Sequence, residues 1–289
     1  MQINNVLESA ASDLKSDPTP QSDSRFDAFW QWNGKTADGC SVSLRSLSSS
    51  LNPNYLRTGI YEKTQLETLF IPGKNAQLFR QYREDTGMVF TADDCKEYLT
   101  EETYNAYFSP YGWANINIID EFSVRQLVAA LTGNEADGEL FRQKVRTLTA
   151  DKQLVQTEND LKMLCGISYD KIFPYINTEP VMNVQFVEPA VLQGILSDPD
   201  YGLAGAVQKA KQLLALRESR ELVQEDVQNV LGIDRSNRLY YFFGTVTWFW
   251  QIEIKKGAVV CDEIICRMPP KDAGIQGPAE WYVVEKKWK

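Results

Sequence analysis

Two stretches of this chain open and close alike, and that internal repeat restricts its folding more than any single motif does. Asn115-Ile116-Asn117 precedes an apolar helical run containing Phe122, Val124, Leu127 and Leu131, and Asn183-Val184-Gln185 precedes one containing Val187, Val191, Leu192, Ile195 and Leu196. Downstream, Leu154-Val155-Gln156 leads to Leu164-Cys165-Gly166-Ile167, while Leu222-Val223-Gln224 leads to Val230-Leu231-Gly232-Ile233. The spacing predicts one unit used twice in tandem, over about 113–167 and 181–233. Each unit is expected to hold an Asn-led entry, a helix, a turn, a second helix and a capped closing helix, with Asn115, Asn117, Asn183, Gly166 and Gly232 at its key points.

Strand signals lie on either side of this block. Ile3, Leu7, Ala10 and Leu14 recur at helical spacing, with polar residues opposite, until Asp17-Pro18-Thr19-Pro20 breaks the pattern. Phe26 to Trp32 is aromatic-rich and reads as a strand, Asn33-Gly34 as a turn, and Val42 to Leu47 as an alternating strand. Helical periods take over from about Tyr61 to Ile233, with capped starts at Thr91 to Asp94 and Thr157 to Asp160, stops at Gly166 and Gly232, and Pro189 in a first turn opened by Glu188. After Arg235 the period becomes two: Val246, Trp248, Trp250, Ile252 and Ile254 share one face. Lys255-Lys256-Gly257 turns into a strand over Ala258 to Met268, and Glu280 to Val284 forms a last one. The early and late strands are expected to meet in one sheet, because two separate β pieces would leave several edges uncovered. The expected division is therefore 1–60 and 235–289 for an α/β domain and 61–234 for an inserted helical domain.

Composition narrows the function. The 289 residues include no histidine, which removes Ser/His/Asp triads, Cys/His dyads and histidine zinc sites. A net charge of −9 disfavours polyanion binding, so no nucleic-acid partner is expected. The five cysteines have no C-x-x-C pair. Cys261 and Cys266 form a disulfide only if a turn separates them, since residues five apart in a flat strand face opposite ways; the alternative is two buried thiols.

The motif Asn183-Val-Gln-Phe-Val-Glu-Pro-Ala-Val-Leu192 resembles, without gaps, the N-V-N-T-A-P-A-E-V-L entry of minor pseudopilin K proteins of type II secretion, and Asn115-Ile-Asn-Ile-Ile-Asp-Glu-Phe-Ser-Val124 is a looser version. Arg238-Leu-Tyr-Tyr-Phe-Phe243 is similar to that family's aromatic entry into its last strands. The resemblance covers most of the chain. It implies an α+β fold: a pilin-like N-terminal helix packed on an antiparallel sheet, with a large inserted all-α domain containing two helix-hairpin-helix-like repeats. It also implies a non-enzymatic subunit at the tip of a pseudopilus, supporting protein export. Its partners would be other minor pseudopilins and exported substrates, and it would be a periplasmic domain anchored in the inner membrane by a segment before Ile3. The resemblance also implies calcium as a candidate ligand, but the family's W-x-D-x-D and G-A-E patterns have no match from Gln81 to Trp113, where its calcium-binding acids would fall, so no cofactor is expected.

The rival reading is a helix-hairpin-helix module gripping a DNA backbone. Its hairpins would carry Glu135 and Asp137, and Asp198 and Asp200, which repel phosphate. Asp93-Asp94 and Asp198-Pro-Asp200 lack calcium-loop spacing and suit turns and caps. Glu101-Glu102 and Asp120-Glu121 point apart on a helix, which disfavours paired-carboxylate catalysis, and Ser48-Ser49-Ser50 has no glycine elbow or base. The aromatic residues Tyr104, Tyr107, Phe108, Tyr111 and Phe249 are the expected outward anchors of a partner interface.

Overall fold

The N-terminal apolar stripe does form a helix, α1 (Gln2–Lys15), and buries Ile3, Val6, Leu7, Ala10, Ala11 and Leu14. These observations come from a computed structural model that describes residues 2–19, 21–55, 64–270 and 279–289. Pro20 and the expected boundary between residues 60 and 61 lie outside the described residues. The α1 stripe packs on Val42, Leu44, Trp250, Ile252, Ile254 and Ile265, which line one face of a sheet.

Phe26 to Trp32 is not a strand: Ala28–Trp32 is a short 3-10 helix. In that geometry residues three apart eclipse, so Phe29 and Trp32 point together into the α1 core. The Phe29 ring meets Trp250 edge-on at 5.3 Å, and Trp32 Nε1 donates to Asp13 Oδ2 at 2.7 Å. Aromatic β preference is a packing preference, and here the turn satisfies it.

The first strands are β1 (Thr36–Ala37) and β2 (Cys40–Ser46), the latter strictly alternating until its end. Next come α2 (Ala76–Thr86), α3 (Glu101–Tyr107), β3 (Ala114–Asn115), α4 (Glu121–Thr132), α5 (Glu135–Ala150), α6 (Glu158–Cys165) and α7 (Tyr169–Ile172). They are followed by β4 (Ile176–Asn177), β5 (Met182–Asn183), α8 (Pro189–Leu196), α9 (Ala206–Ser219) and α10 (Gln224–Leu231). The chain ends with β6 (Phe243–Gly244), β7 (Phe249–Lys256), β8 (Val259–Arg267) and β9 (Trp281–Trp288).

The large sheet has the order β1-β2-β7-β8-β9, and every pair in it is antiparallel. β2 and β7 are direct neighbours, with Val42 opposite Ile254 and Leu44 opposite Ile252. All the described helices from α2 to α10 therefore leave and return between two adjacent strands. The expected strand from Val246 starts later, at Phe249. Side chains take the amides a ladder would need: Thr247 N donates to Asp23 Oδ2, and Trp248 N and Phe249 N both donate to Ser48 Oγ. Trp248 and Val246 consequently belong to a small core on the opposite sheet face from Trp250.

Within the helical block, α4 to α7 enclose one core around Val124, Val128, Phe141, Leu161 and Ile172. Helices α8 to α10 share a second with Leu51, Leu66, Phe79 and the aromatic run Tyr240 to Phe243. The capping signals act locally. Thr157 and Asp160 form a reciprocal box at the start of α6, and Asp120 caps α4 through Phe122 N at 2.9 Å. In the closing helix α10, Val223 has no side-chain oxygen, so only Asp226 contributes, accepting from Val223 N at 3.0 Å. Gly138 lets α5 cross close over α4: a Cβ there would lie 2.4 Å from Arg125 O.

Candidate interaction surface

Each of the two units of the helical block is entered through an asparagine. Asn115 pairs with Asn177 in the parallel β3–β4 ladder, and Asn183 pairs with Gly244 in the parallel β5–β6 ladder. Asn115 Oδ1 accepts from Asn117 N at 2.8 Å, and Asn183 Oδ1 from Gln185 N at 2.9 Å, so each tightens the turn that opens its helix. Asn117 then clamps the remote Val155 backbone, donating to its carbonyl at 2.9 Å and accepting from its amide at 2.8 Å. At the closing ends, Lys144 Nζ donates to Leu164 O and Lys209 Nζ to Leu231 O. Gly166 and Gly232 both end helices with positive φ, but only Gly232 takes the left-handed helical conformation.

Asn183 also belongs to a buried polar knot that joins the helical block to the sheet. Its Nδ2 donates to Asp23 O and to Thr247 Oγ1, both at 2.9 Å, and Thr247 Oγ1 lies 3.0 Å from Ser46 Oγ. The Asp23 carboxylate, fully buried, accepts from Arg267 Nη2 at 2.9 Å and from Thr247 N at 2.6 Å. Burial pushes this carboxyl up to about 7, against the downward pull of Arg267 and of the Thr247 amide; Asp17 and Asp27 add to the rise. Sequence reasoning missed the pair, because Asp23 sits in a polar stretch that reads as a linker.

Of the five expected anchors, three do not face outward. Phe249 is buried between Trp113 at 4.9 Å and Tyr111 at 6.4 Å, because the 109–113 segment crosses that sheet face. Trp113 Nε1 donates to Arg267 O at 3.0 Å and Tyr111 OH to Glu285 Oε2 at 2.6 Å, which holds the segment down. Tyr104 is buried with its ring 6.1 Å from that of Phe108. Phe108 is buried too, flanked by backbone bonds from Leu51 N to Tyr107 O and from Ser109 N to Leu51 O. Tyr107 and Tyr111 remain half-exposed.

The acidic pairs do structural work. Asp94 accepts from Phe90 N and Thr91 N, which holds its carboxyl below the usual range, and Asp198 Oδ1 accepts from Asp200 N at 2.9 Å. Glu121 lies within 3.7 Å of Arg80 and 3.4 Å of Arg142. Ser48 accepts the two sheet amides named above, and Glu101 and Glu102 are exposed in the first turn of α3. Among the described residues, no group of three or more His, Cys, Asp or Glu gathers to hold a metal ion. Nor is any described helix long and apolar enough to cross a membrane.

All five cysteines are free and buried. Cys261 and Cys266 lie in one strand but in different cores, on opposite faces of the sheet, which rules out the disulfide in this arrangement. Burial pushes the Cys95 and Cys165 thiols up to about 12.

No family model and no curated protein matches the chain. Among solved structures, it is similar to a chain in the crystal structure of the GspK-GspI-GspJ complex from the type 2 secretion system of enterotoxigenic Escherichia coli. That likeness covers 99% of this chain and 94% of the other, at 12% sequence identity and a TM-score of 0.39.

Proposed function

We propose that the chain is a non-enzymatic, pseudopilin-K-like subunit that acts by assembly with other minor pseudopilins of a type II secretion system. The observation that carries this reading is topological. An N-terminal helix lies on an antiparallel sheet, and the described helical block departs from β2 and returns at β7, its direct neighbour. That is the arrangement implied by the resemblance of the Asn183 to Leu192 motif and of the Arg238 to Phe243 run.

On this reading, residues 1–60 and 235–289 form one pilin-like domain and 61–234 the insertion. Its two units are copies, a view supported by the matched asparagine turns at Asn115 and Asn183 and by the lysine bonds that close each unit. A bulky insertion at the end of a fibre obstructs addition of another subunit above it, which suits a place at the pseudopilus tip on the periplasmic side of the inner membrane. The mechanism is steric and interfacial: binding starts or ends the fibre and supports export without covalent chemistry.

The test is co-purification of this chain with the minor pseudopilins encoded beside it. Recovery of a stable complex is the expected outcome. Failure to bind any of them, under conditions in which they bind one another, contradicts the proposal.

A further inference from the structure

Among the described residues, the last strand of the sheet, β9, has a neighbour on one side only. Lys289 and Val260 exchange both backbone bonds at 2.9 Å. Alternation along an antiparallel pair then turns the N–H and C=O of Trp288 away from β8, toward the open edge. Edge strands in native proteins are usually short, bulged, covered or charged, with lysine the commonest charge, and a charged edge still accepts a strand of opposite charge. This one runs eight residues, with a register shift opposite Ile264 and Ile265, and exposes Tyr282, Val283, Val284 and Trp288.

Its charge is as distinctive. The chain carries a net charge of −9, yet β9 and the residue after it hold Lys286, Lys287 and Lys289 against the single acid Glu285. Each lysine lies outside the carboxylate it contacts: Lys286 over Glu263 at 3.1 Å, Lys287 over Glu285 at 2.8 Å and Lys289 over Asp262 at 3.8 Å. The side chains of Glu263 and Asp262 are 9% and 12% exposed while those of their lysines are 35% and 63% exposed, so an approaching strand meets ammonium groups first.

We propose that β9 is a docking edge that adds one extended strand from a different protein, a strand in which acidic residues alternate with apolar ones. Main-chain bonds along the open edge would supply affinity, Val283 and Trp288 the apolar contacts, and the lysines the choice of an acidic partner. A second copy of this chain fits less well. Antiparallel self-pairing centred on Lys286 and Lys287 sets lysine rows against each other, and full overlap sets Tyr282 against Lys287 and Val283 against Lys286. The inference rests on the edge itself and is independent of the secretion reading, so either can fail alone.

The test uses the full chain and two fluorescein-labelled peptides, one alternating valine with glutamate and the other valine with lysine, read by fluorescence anisotropy. The wild-type chain is expected to bind the glutamate peptide about tenfold more tightly than the lysine peptide. Trp288→Pro, which removes an outward amide unused by the β8 ladder, is expected to weaken that binding by about tenfold or more. The pair Lys287→Glu and Lys289→Glu, at exposed positions, is expected to invert the preference, and circular dichroism confirms that each variant is folded. Equal binding of both peptides, no binding of either, or an unchanged preference after charge reversal overturns the proposal. So does a wild-type dimer in sedimentation that Trp288→Pro abolishes, which would assign the edge to a second copy.

Discussion

At pH 8, Arg267→Met is expected to lower the stability of the fold by about 3–5 kcal/mol, because it leaves the ionised Asp23 carboxylate buried without its partner. Both side chains are almost entirely out of water, and their contact is 2.9 Å. The loss is expected to depend on pH. Burial already lifts Asp23 from its ordinary 3.8 to about 7, so between those values the folded state keeps a proton that the unfolded state has released. The contribution of this group to stability therefore falls as pH rises through that window. Arg267 is the main influence that lowers the Asp23 value, and removing it carries the window farther upward. Urea denaturation is expected to show a smaller deficit at pH 5 than at pH 8. A deficit independent of pH would show that the carboxyl of Asp23 does not titrate as the geometry requires. The double variant Asp23→Leu/Arg267→Met is expected to recover much of the loss, since no charge is then stranded.

Trp250→Ala is expected to cost about 3–5 kcal/mol, the range for truncating a fully enclosed aromatic side chain. The ring joins its own strand to two other parts of the molecule: Phe29 and Trp30 of the 3-10 turn at 5.3 and 6.3 Å, and Phe186, from the entry to the second helical unit, at 5.5 Å. Its Nε1 has no hydrogen-bond partner among the described residues. Trp250→Phe removes no hydrogen bond and leaves a smaller cavity, and is expected to cost less, about 2 kcal/mol. Equal costs for the two substitutions, measured by the same urea titration, would mean that the indole nitrogen rather than ring packing holds the junction.

Periodicity made much of the architecture legible. The α1 stripe, the alternation of β2 and the Trp250-Ile252-Ile254 row each report a single buried face, and the Thr157 box and Pro189 mark helix starts that need only local atoms. What the periods did not carry was long-range. Phe249 alternates correctly, yet whether its face is open depends on the 109–113 segment lying across it. The start of β7 is delayed by the side chains of Asp23 and Ser48, roughly two hundred residues earlier by number, which compete for its amides. The recurring positions Asn115, Asn117 and Asn183 were visible as a pattern, but their bonds to the backbones of Glu179, Val155 and Asp23 were not. The last strand was expected to end at Val284 and continues to Trp288, because lysines on an edge strand break the apolar signal without ending the ladder.

One sheet is built from both ends of the chain, with the described helices spliced between β2 and β7. Leu44→Cys/Ile252→Cys tests this directly. Val42 N donates to Lys35 O and Leu44 N to Asn33 Oδ1, both away from β7, so Leu44 and Ile252 form a non-hydrogen-bonded pair. Such pairs have Cα atoms about 4.5 Å apart, within reach of a disulfide. Mild oxidation followed by peptide mapping is predicted to show the two introduced thiols joined within one chain. Introduced thiols that remain reduced in the folded protein, or that join only between chains, would contradict the shared sheet.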